Sequence, residues 1–408
     1  MNRRGVVGVV LVLVTLTLAA CGGSEPATAR VLTWWVVPDR VDADAIAKAC
    51  SGAAGDYSID IEQLPPDIDQ RRAEIVRRFA AGDDSIDILS LDTSLTAEIA
   101  TAGYLAGVPT EVEAELTSGA LPKAVEAASH DERLVAAPWW LDPQVLWFRG
   151  TAAERAGIDT TKPVSWDDLL AGAERLGTTV QIDDAGGNGL ADWVRALLAG
   201  AGGNLLEGAG REPEIGLATE AGRVAAGIVQ FYAGAGIGPG PSPDALTEFA
   251  GTSGGFLLAS SAVVSDPALS TTASDMTAVA YPVIEGESVA PLSGVSLAVP
   301  KDAPDPGLAF EAVTCLTSAE SQQQMMIGSG HGATREATYE DDEVKSALAS
   351  SEVALKAVTS GVNVPSTPYW QRVRAGLRDS WTPITGVSPS TTPSKSQRAV
   401  EDLVGGGL

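Results

Sequence analysis

The chain has 408 residues, enough for two to three domains with sizeable cores. Its 27 basic residues face 53 acidic ones, a formal charge of −26, and such a surface argues against nucleic acid or any other polyanion as a partner. Two histidines and three cysteines leave a transition-metal site almost without ligands, so no metal and no cofactor is expected.

Arg3 and Arg4 precede an apolar run over residues 6–18, which Leu18-Ala19-Ala20-Cys21 closes. The run is too short to span a bilayer and ends in small residues, the pattern of a lipoprotein signal peptide cut before Cys21. Residues 1–20 are therefore expected to be removed and Cys21 lipidated, which leaves 25 basic against 53 acidic residues, a charge of −28. The expected place is the extracytoplasmic face of the cell membrane, with the lipid on Cys21 as the membrane contact and residues 21–29 as a flexible linker.

The body opens with a strand over 31–37, a helix over 41–50 with Val41, Ala45, Ile46, Ala49 and Cys50 on one face, and a strand over 57–64. A helix over 67–81 ends before Gly82, and a strand over 86–91 and a helix over 94–102 follow. Strand and helix alternate three times, which predicts a parallel sheet. Further on, short strands over 134–137 and 145–148 flank Pro138-Trp139-Trp140-Leu141-Asp142-Pro143. Helices are predicted over 152–157, 166–176, 190–199 and 220–233, and strands over 256–265, 278–284 and 295–300. Helices over 306–317 and 318–326, an extended piece over 362–369, and helices over 370–381 and 395–404 complete the chain. With Cys21 lipidated, Cys50 and Cys315 remain as a disulfide or as two buried thiols in an oxidising compartment.

Tryptophan is over-used, with nine against six Phe and six Tyr, and Trp34-Trp35 and Trp139-Trp140 are tandem pairs. Neighbours on a strand point to opposite faces, so one member of each pair needs a second core layer or a ligand cleft. Ligands of open α/β sheets sit beyond the carboxyl ends of the strands, where Trp34, Trp35, Asp92 and Thr93 fall. Trp139, Trp140 and Asp142 offer flat apolar faces beside a carboxylate, the chemistry that a pyranose requires, and Trp370 with Tyr369 adds a third aromatic group. Asp266 before Pro267 and Gly294, where backbone can approach closely, complete the candidates; for Arg335 a solvated surface charge is the commoner fate. Trp147 and Trp166 fall inside regular elements and are expected in cores. Gly251-Thr252-Ser253-Gly254-Gly255 matches G-x-S-x-G, but a helix before it and a strand after it reverse the order that a nucleophile elbow needs. With carboxylates this numerous, no pair of them singles out a glycosidase, and the chain reads as a binding protein rather than an enzyme.

Several stretches together resemble a known family. They are Val31-Leu32-Thr33-Trp34-Trp35, Ile86-Asp87-Ile88-Leu89-Ser90-Leu91-Asp92, Pro163-Val164-Ser165-Trp166-Asp167-Asp168-Leu169, Gly202-Gly203-Asn204-Leu205 and Ala309-Phe310-Glu311-Ala312-Val313-Thr314-Cys315. In order and spacing they resemble the extracellular solute-binding proteins of ABC importers, the family that includes maltose-binding protein, over most of residues 30–385. Within it the likeness is greatest to actinobacterial sugar-binding lipoproteins of the trehalose-binding LpqY type. The resemblance implies an α/β, two-lobed periplasmic-binding-protein fold, each lobe a mixed or parallel sheet flanked by helices, with a ligand cleft at a hinge. Lobe 1 would take residues 30–113 plus 268–319, lobe 2 residues 114–267 plus 320–388, and 389–408 would be a C-terminal tail. Cys50 and Cys315 then share a lobe. The implied function is a monomer that closes on a di- or oligosaccharide and delivers it to an ABC permease. Asp142 stands where the trehalose-binding proteins carry Asn, and Val364 where they carry Arg, which changes the hydroxyls that can be paired. Another sugar, a polyamine or peptide, and a receptor role for a sensor remain open.

Overall fold

The computed structural model describes residues 29–184, 186–207, 214–251 and 254–405. The expected signal peptide, Cys21 and Ser253 lie outside the described residues. Nine strands form one sheet: β1 (Arg30–Val36), β2 (Tyr57–Gln63), β3 (Ile88–Asp92), β4 (Ala137–Arg149), β5 (Thr179–Asp183), β6 (Pro241–Ser242), β7 (Gly254–Ser260), β8 (Met276–Val279) and β9 (Leu292–Ala298). Their order is β6-β5-β7-β4-β9-β3-β1-β2, and β8 pairs with β4. β2, β1 and β3 are parallel at one end, and β6, β5 and β7 are parallel at the other. Antiparallel pairings of β9 with β3 and of both β9 and β7 with β4 join the two blocks.

β4 is the joint. The sequence predicts two short strands broken by Pro138 and Pro143, yet one strand of 13 residues runs through both. Proline is tolerated in a sheet where its missing N–H is not required. Pro138 sits beside the register shift at Val295/Ser296, and Pro143 sits where β4 changes partner from β9 to β7. β4 therefore begins in one lobe and ends in the other.

The helices that matter below are α1 (Ala43–Ala54), α2 (Ile68–Ala80), α3 (Thr93–Thr101), α4 (Trp166–Leu176), α5 (Gly189–Gly200), α6 (Glu220–Ala235), α7 (Pro306–Leu316), α8 (Ala319–Ser329), α9 (Ser351–Ser360), α10 (Trp370–Trp381) and α11 (Thr392–Gly405). Side-chain caps start several of them: Asp42 before α1, Asp67 before α2, Ser165 before α4 and Thr219 before α6. Both faces of the sheet are covered at its β2-β1-β3 end. Leu32, Trp34, Ile46, Trp139 and Phe310 pack on one face, and Trp35, Ile75, Phe79 and Leu95 pack on the other. Phe148, Trp166, Trp193, Tyr232, Phe256 and Trp381 belong to the second core.

Two segments differ from the expected division. Leu269, Tyr281 and Ala290, expected with lobe 1, pack in the second core, because β8 pairs with β4 and keeps the chain there until β9. The expected tail holds α11, which buries Thr392, Ser396 and Val400 against α10, with Trp381 Nε1 donating to Ser396 Oγ at 3.0 Å. Cys50 on α1 is bonded to Cys315 on α7, with Cα atoms 5.8 Å apart and a sequence separation of 265. A closed loop of that length is worth at most about 5 kcal/mol through the entropy of the unfolded chain. Among the described residues no helix is long and apolar enough to cross a membrane.

Candidate functional site

Three segments meet at the hinge: β4 at Asp142, the start of β9, and the chain at Val362. Ser293 stands opposite Asp142, and Leu292 N donates to Val362 O at 2.9 Å. Asp142 is 3% exposed and fully engaged. Its carboxylate accepts from His331 Nδ1 at 2.6 Å, Gly332 N at 2.7 Å and Ser260 Oγ at 2.8 Å. Burial alone pushes its pKa up, but the neighbouring His331 and these three donors hold it below the usual carboxylate value. An ionised Asp142 fixes the His331 tautomer with the proton on Nδ1. The loop after α8 reaches this point through Gly330, whose φ of 80° only glycine adopts readily.

The His331 ring stacks on Trp140, with centroids 4.2 Å apart and planes 13° from parallel. His331 Nε2 and Trp140 Nε1 are both buried and have no hydrogen-bond partner among the described residues. Asp39, three residues past β1, lies beside both. Its side chain reaches solvent but protein crowds it, so loss of hydration raises its pKa while His331, Val41 N and the Trp140 indole pull it down. Asp39 therefore stands at the exposed edge of the hinge, with the buried Trp140–His331 stack behind it. Arg40 beside it donates from Nη1 to Asp266 Oδ2 and from Nη2 to Ala262 O, each at 3.2 Å.

The cleft continues between α2 and α10. Arg71 on α2 holds Asp92 in a two-pronged pair, Nε to Oδ2 at 2.7 Å and Nη2 to Oδ1 at 3.0 Å. Arg374 on α10 donates to Asp69 on α2 and to Asn188 Oδ1 at 3.1 Å, and so ties the two lobes together. Next to it a cavity of about 390 Å³, walled by Asp184, Leu190, Pro241, Arg374, Arg378 and Ile384, opens beyond the carboxyl ends of β5 and β6. Burial raises the pKa of Asp184 there, against the pull of Gly189 N.

The structure separates the expected site residues. Trp34 and Trp139 meet edge to face in the first core, 6.2 Å between centroids, and Trp34 Nε1 donates to Ser90 Oγ at 3.0 Å. Trp35 fills the opposite core with the Arg78 guanidinium 4.1 Å above its ring. Trp370 is buried in the second core. All four pack in cores: helices cover both faces of the sheet, so core layers take Trp34, Trp35 and Trp139, and Trp370 packs from its own helix α10. Gly294 serves strand packing: a Cβ there would lie 2.3 Å from Trp140 O, and its N–H donates to Thr93 Oγ1. Asp266 is bound to Arg40 and also caps Ala268 N at 2.9 Å. Arg335, expected as a solvated charge, donates to Thr317 O at 3.2 Å and to Ser118 O. Trp140, Asp142 and Asp266 gather at the hinge, Asp92 and Thr93 line its lobe 1 side, and β7 begins after the helix Ala245–Ala250, in the order unsuited to an elbow. Sequence reading missed Asp39, Arg40 and His331. Asp39 and Arg40 were within reach of the strand-end rule applied to Trp34 and Trp35, whereas nothing local marked His331.

Known structures share the fold over nearly the whole chain. The GacH receptor of Streptomyces glaucescens GLA.O, solved unliganded and with acarbose, aligns with 93% of this chain and 99% of its own at 18% identity and a TM-score of 0.78. The cyclic alpha-maltosyl-1,6-maltose binding protein of Arthrobacter globiformis covers 93% and 100% at 18% identity, TM-score 0.78. UgpB of Mycobacterium tuberculosis, solved with glycerophosphocholine, covers 94% and 99% at 16% identity, TM-score 0.77. These likenesses show that the chain has the two-lobed α/β fold of such binding proteins. Residues 55–323 match the profile of bacterial extracellular solute-binding proteins, and the chain belongs to that family.

Proposed function

We propose that this protein binds a carbohydrate, a di- or oligosaccharide, between its lobes and hands it to an ABC permease while held at the outer face of the cell membrane through Cys21. The carrying observation is at the hinge, where the exposed Asp39 carboxylate lies beside the stacked Trp140 and His331 rings, and neither Trp140 Nε1 nor His331 Nε2 has a well-formed hydrogen bond among the described residues; we take this as the recess that the ligand fills. A sugar hydroxyl both donates and accepts, and so answers such a mixed set; a buried polar atom left unpaired costs about 1–3 kcal/mol. Of the structural relatives, one was solved with acarbose and another is a cyclic alpha-maltosyl-1,6-maltose binding protein, which supports the same ligand class here. Ligand that touches both lobes favours the closed form, and the closed form is what a permease would read.

The test is a thermal-shift screen of residues 22–408 against di- and oligosaccharides, amino sugars, polyamines and short peptides. A saccharide is expected to raise the melting temperature, and Trp140→Ala and Asp92→Ala should each weaken its binding about tenfold, roughly 1.4 kcal/mol. A shift with polyamines or peptides alone would overturn the carbohydrate reading. Unchanged affinity in both variants would move the site elsewhere.

A further inference from the structure

The hinge is gripped from the lobe 2 side by a charge pair that no solute needs. Asp192 and Arg195 stand one turn apart on α5, and Arg195, 1% exposed, donates from Nη2 to Asp192 Oδ1 at 2.7 Å. The same guanidinium donates from Nη2 to Leu292 O at 3.2 Å and from Nη1 to Val362 O. Leu292 and Val362 lie on two of the three segments that meet at the hinge, and they are bonded to each other. A planar fork of donors holds two carbonyls at a set spacing, which a lysine ammonium does not. Arg195 Nε and Asn363 Oδ1 are buried without hydrogen-bond partners among the described residues, and both residues line a cavity of about 150 Å³ beside Val362. Room is thus available for these carbonyls to shift once released. Buried ion pairs are seldom kept for stability, since apolar replacements of similar volume often serve as well.

We propose that Arg195 is a positioning residue that sets the resting angle between the lobes by clamping the Leu292 and Val362 carbonyls to α5. The proposal rests on the closing motion put forward above, but its test needs no solute. Spin labels go on Glu111→Cys and Thr247→Cys, exposed positions on helices whose Leu116 and Phe249 pack in the first and second cores. Pulsed dipolar spectroscopy then reads the inter-lobe distance distribution of the ligand-free protein.

Asp192→Asn/Arg195→Met removes both charges together, so that neither is left buried alone. The distribution is expected to broaden about twofold while unfolding stays cooperative. Arg195→Lys, which keeps the charge and loses the fork, should broaden it as well, and it decides the question alone where the double variant does not fold. A purely structural pair would lower the melting temperature and leave the distribution as narrow as in the unsubstituted protein, and that result overturns the proposal. Failure of every saccharide to bind would overturn the solute reading and leave the distance measurement standing.

Discussion

Asp142 and Asp39 act on the same imidazole and end in opposite electrostatic states. Asp142 is enclosed, with three donors on its two oxygens, and its pKa lies below the ordinary value. Asp39 faces solvent, accepts from Val41 N at 2.9 Å, and its pKa lies above that value. Loss of hydration is the largest influence on both, so crowding does not separate them. The supply of donors does. The region around Asp142 is a finished structural knot that ties β4, β7 and the loop after α8 together. Asp39, exposed yet crowded, has fewer donors than its loss of hydration calls for, the state expected of a surface that awaits a ligand.

The largest effect that would sharpen this contrast comes from Asp142→Ala. It leaves three donors, the His331 imidazole among them, facing a void, and the loss of stability in urea unfolding should be about 3–5 kcal/mol. Asp142→Asn keeps a carbonyl acceptor and should lose less. A loss below about 1 kcal/mol for Asp142→Ala would make the knot an ordinary surface interaction and end the comparison. Next in size is His331→Phe, which keeps an aromatic ring on Trp140 but removes one donor from Asp142. About 2 kcal/mol of stability should go with it, because a buried charged acceptor loses a bond. Its solute affinity should fall as well, since Nε2 belongs to the recess. Stability lost with affinity intact would place His331 wholly in the knot.

Much of the fold was legible because its signals are local. The α4 helix over 166–176 was read to the residue, and its cap Ser165 and the buried Trp166, Leu169, Leu170 and Ala173 are all local signals. The alternation over residues 31–102 gave the parallel block in the correct order. The two short strands around Trp139-Trp140 were misread because proline reads as a breaker until the partners of β4 are known. The tandem tryptophans posed a choice that sequence could not decide: Trp34 and Trp35 point to opposite faces as expected, but helices cover both. The site was harder still. His331 and Asp142 are 189 residues apart, and Arg40 and Asp266 are 226 apart, so no spacing rule links them. What sequence did give was Asp142 and Trp140 as a pair on one loop, and the structure makes that loop a strand through the hinge.

The smallest effect, and the one with the most distinctive sign, belongs to Asp39→Asn. In the unfolded chain this carboxyl titrates near the ordinary 3.8, and folding raises that value. The stability it contributes is therefore present below pH 3.8 and is lost as pH rises through the folded value; at neutral pH the ionised Asp39 is a net cost. Asparagine carries no charge to dehydrate, so Asp39→Asn should raise the melting temperature slightly at pH 7, with the advantage fading as pH falls below 3.8. Asp142 runs the other way, its contribution present above 3.8 and lost as pH falls through its lowered folded value. The same asparagine should weaken solute binding about tenfold, because a charge-assisted hydrogen bond becomes a neutral one. A gain in stability joined to a loss of affinity is what a group held for a ligand must show. If the melting temperature at pH 7 falls instead, Asp39 has protein partners as binding as those of Asp142, and the recess is a second knot rather than a site.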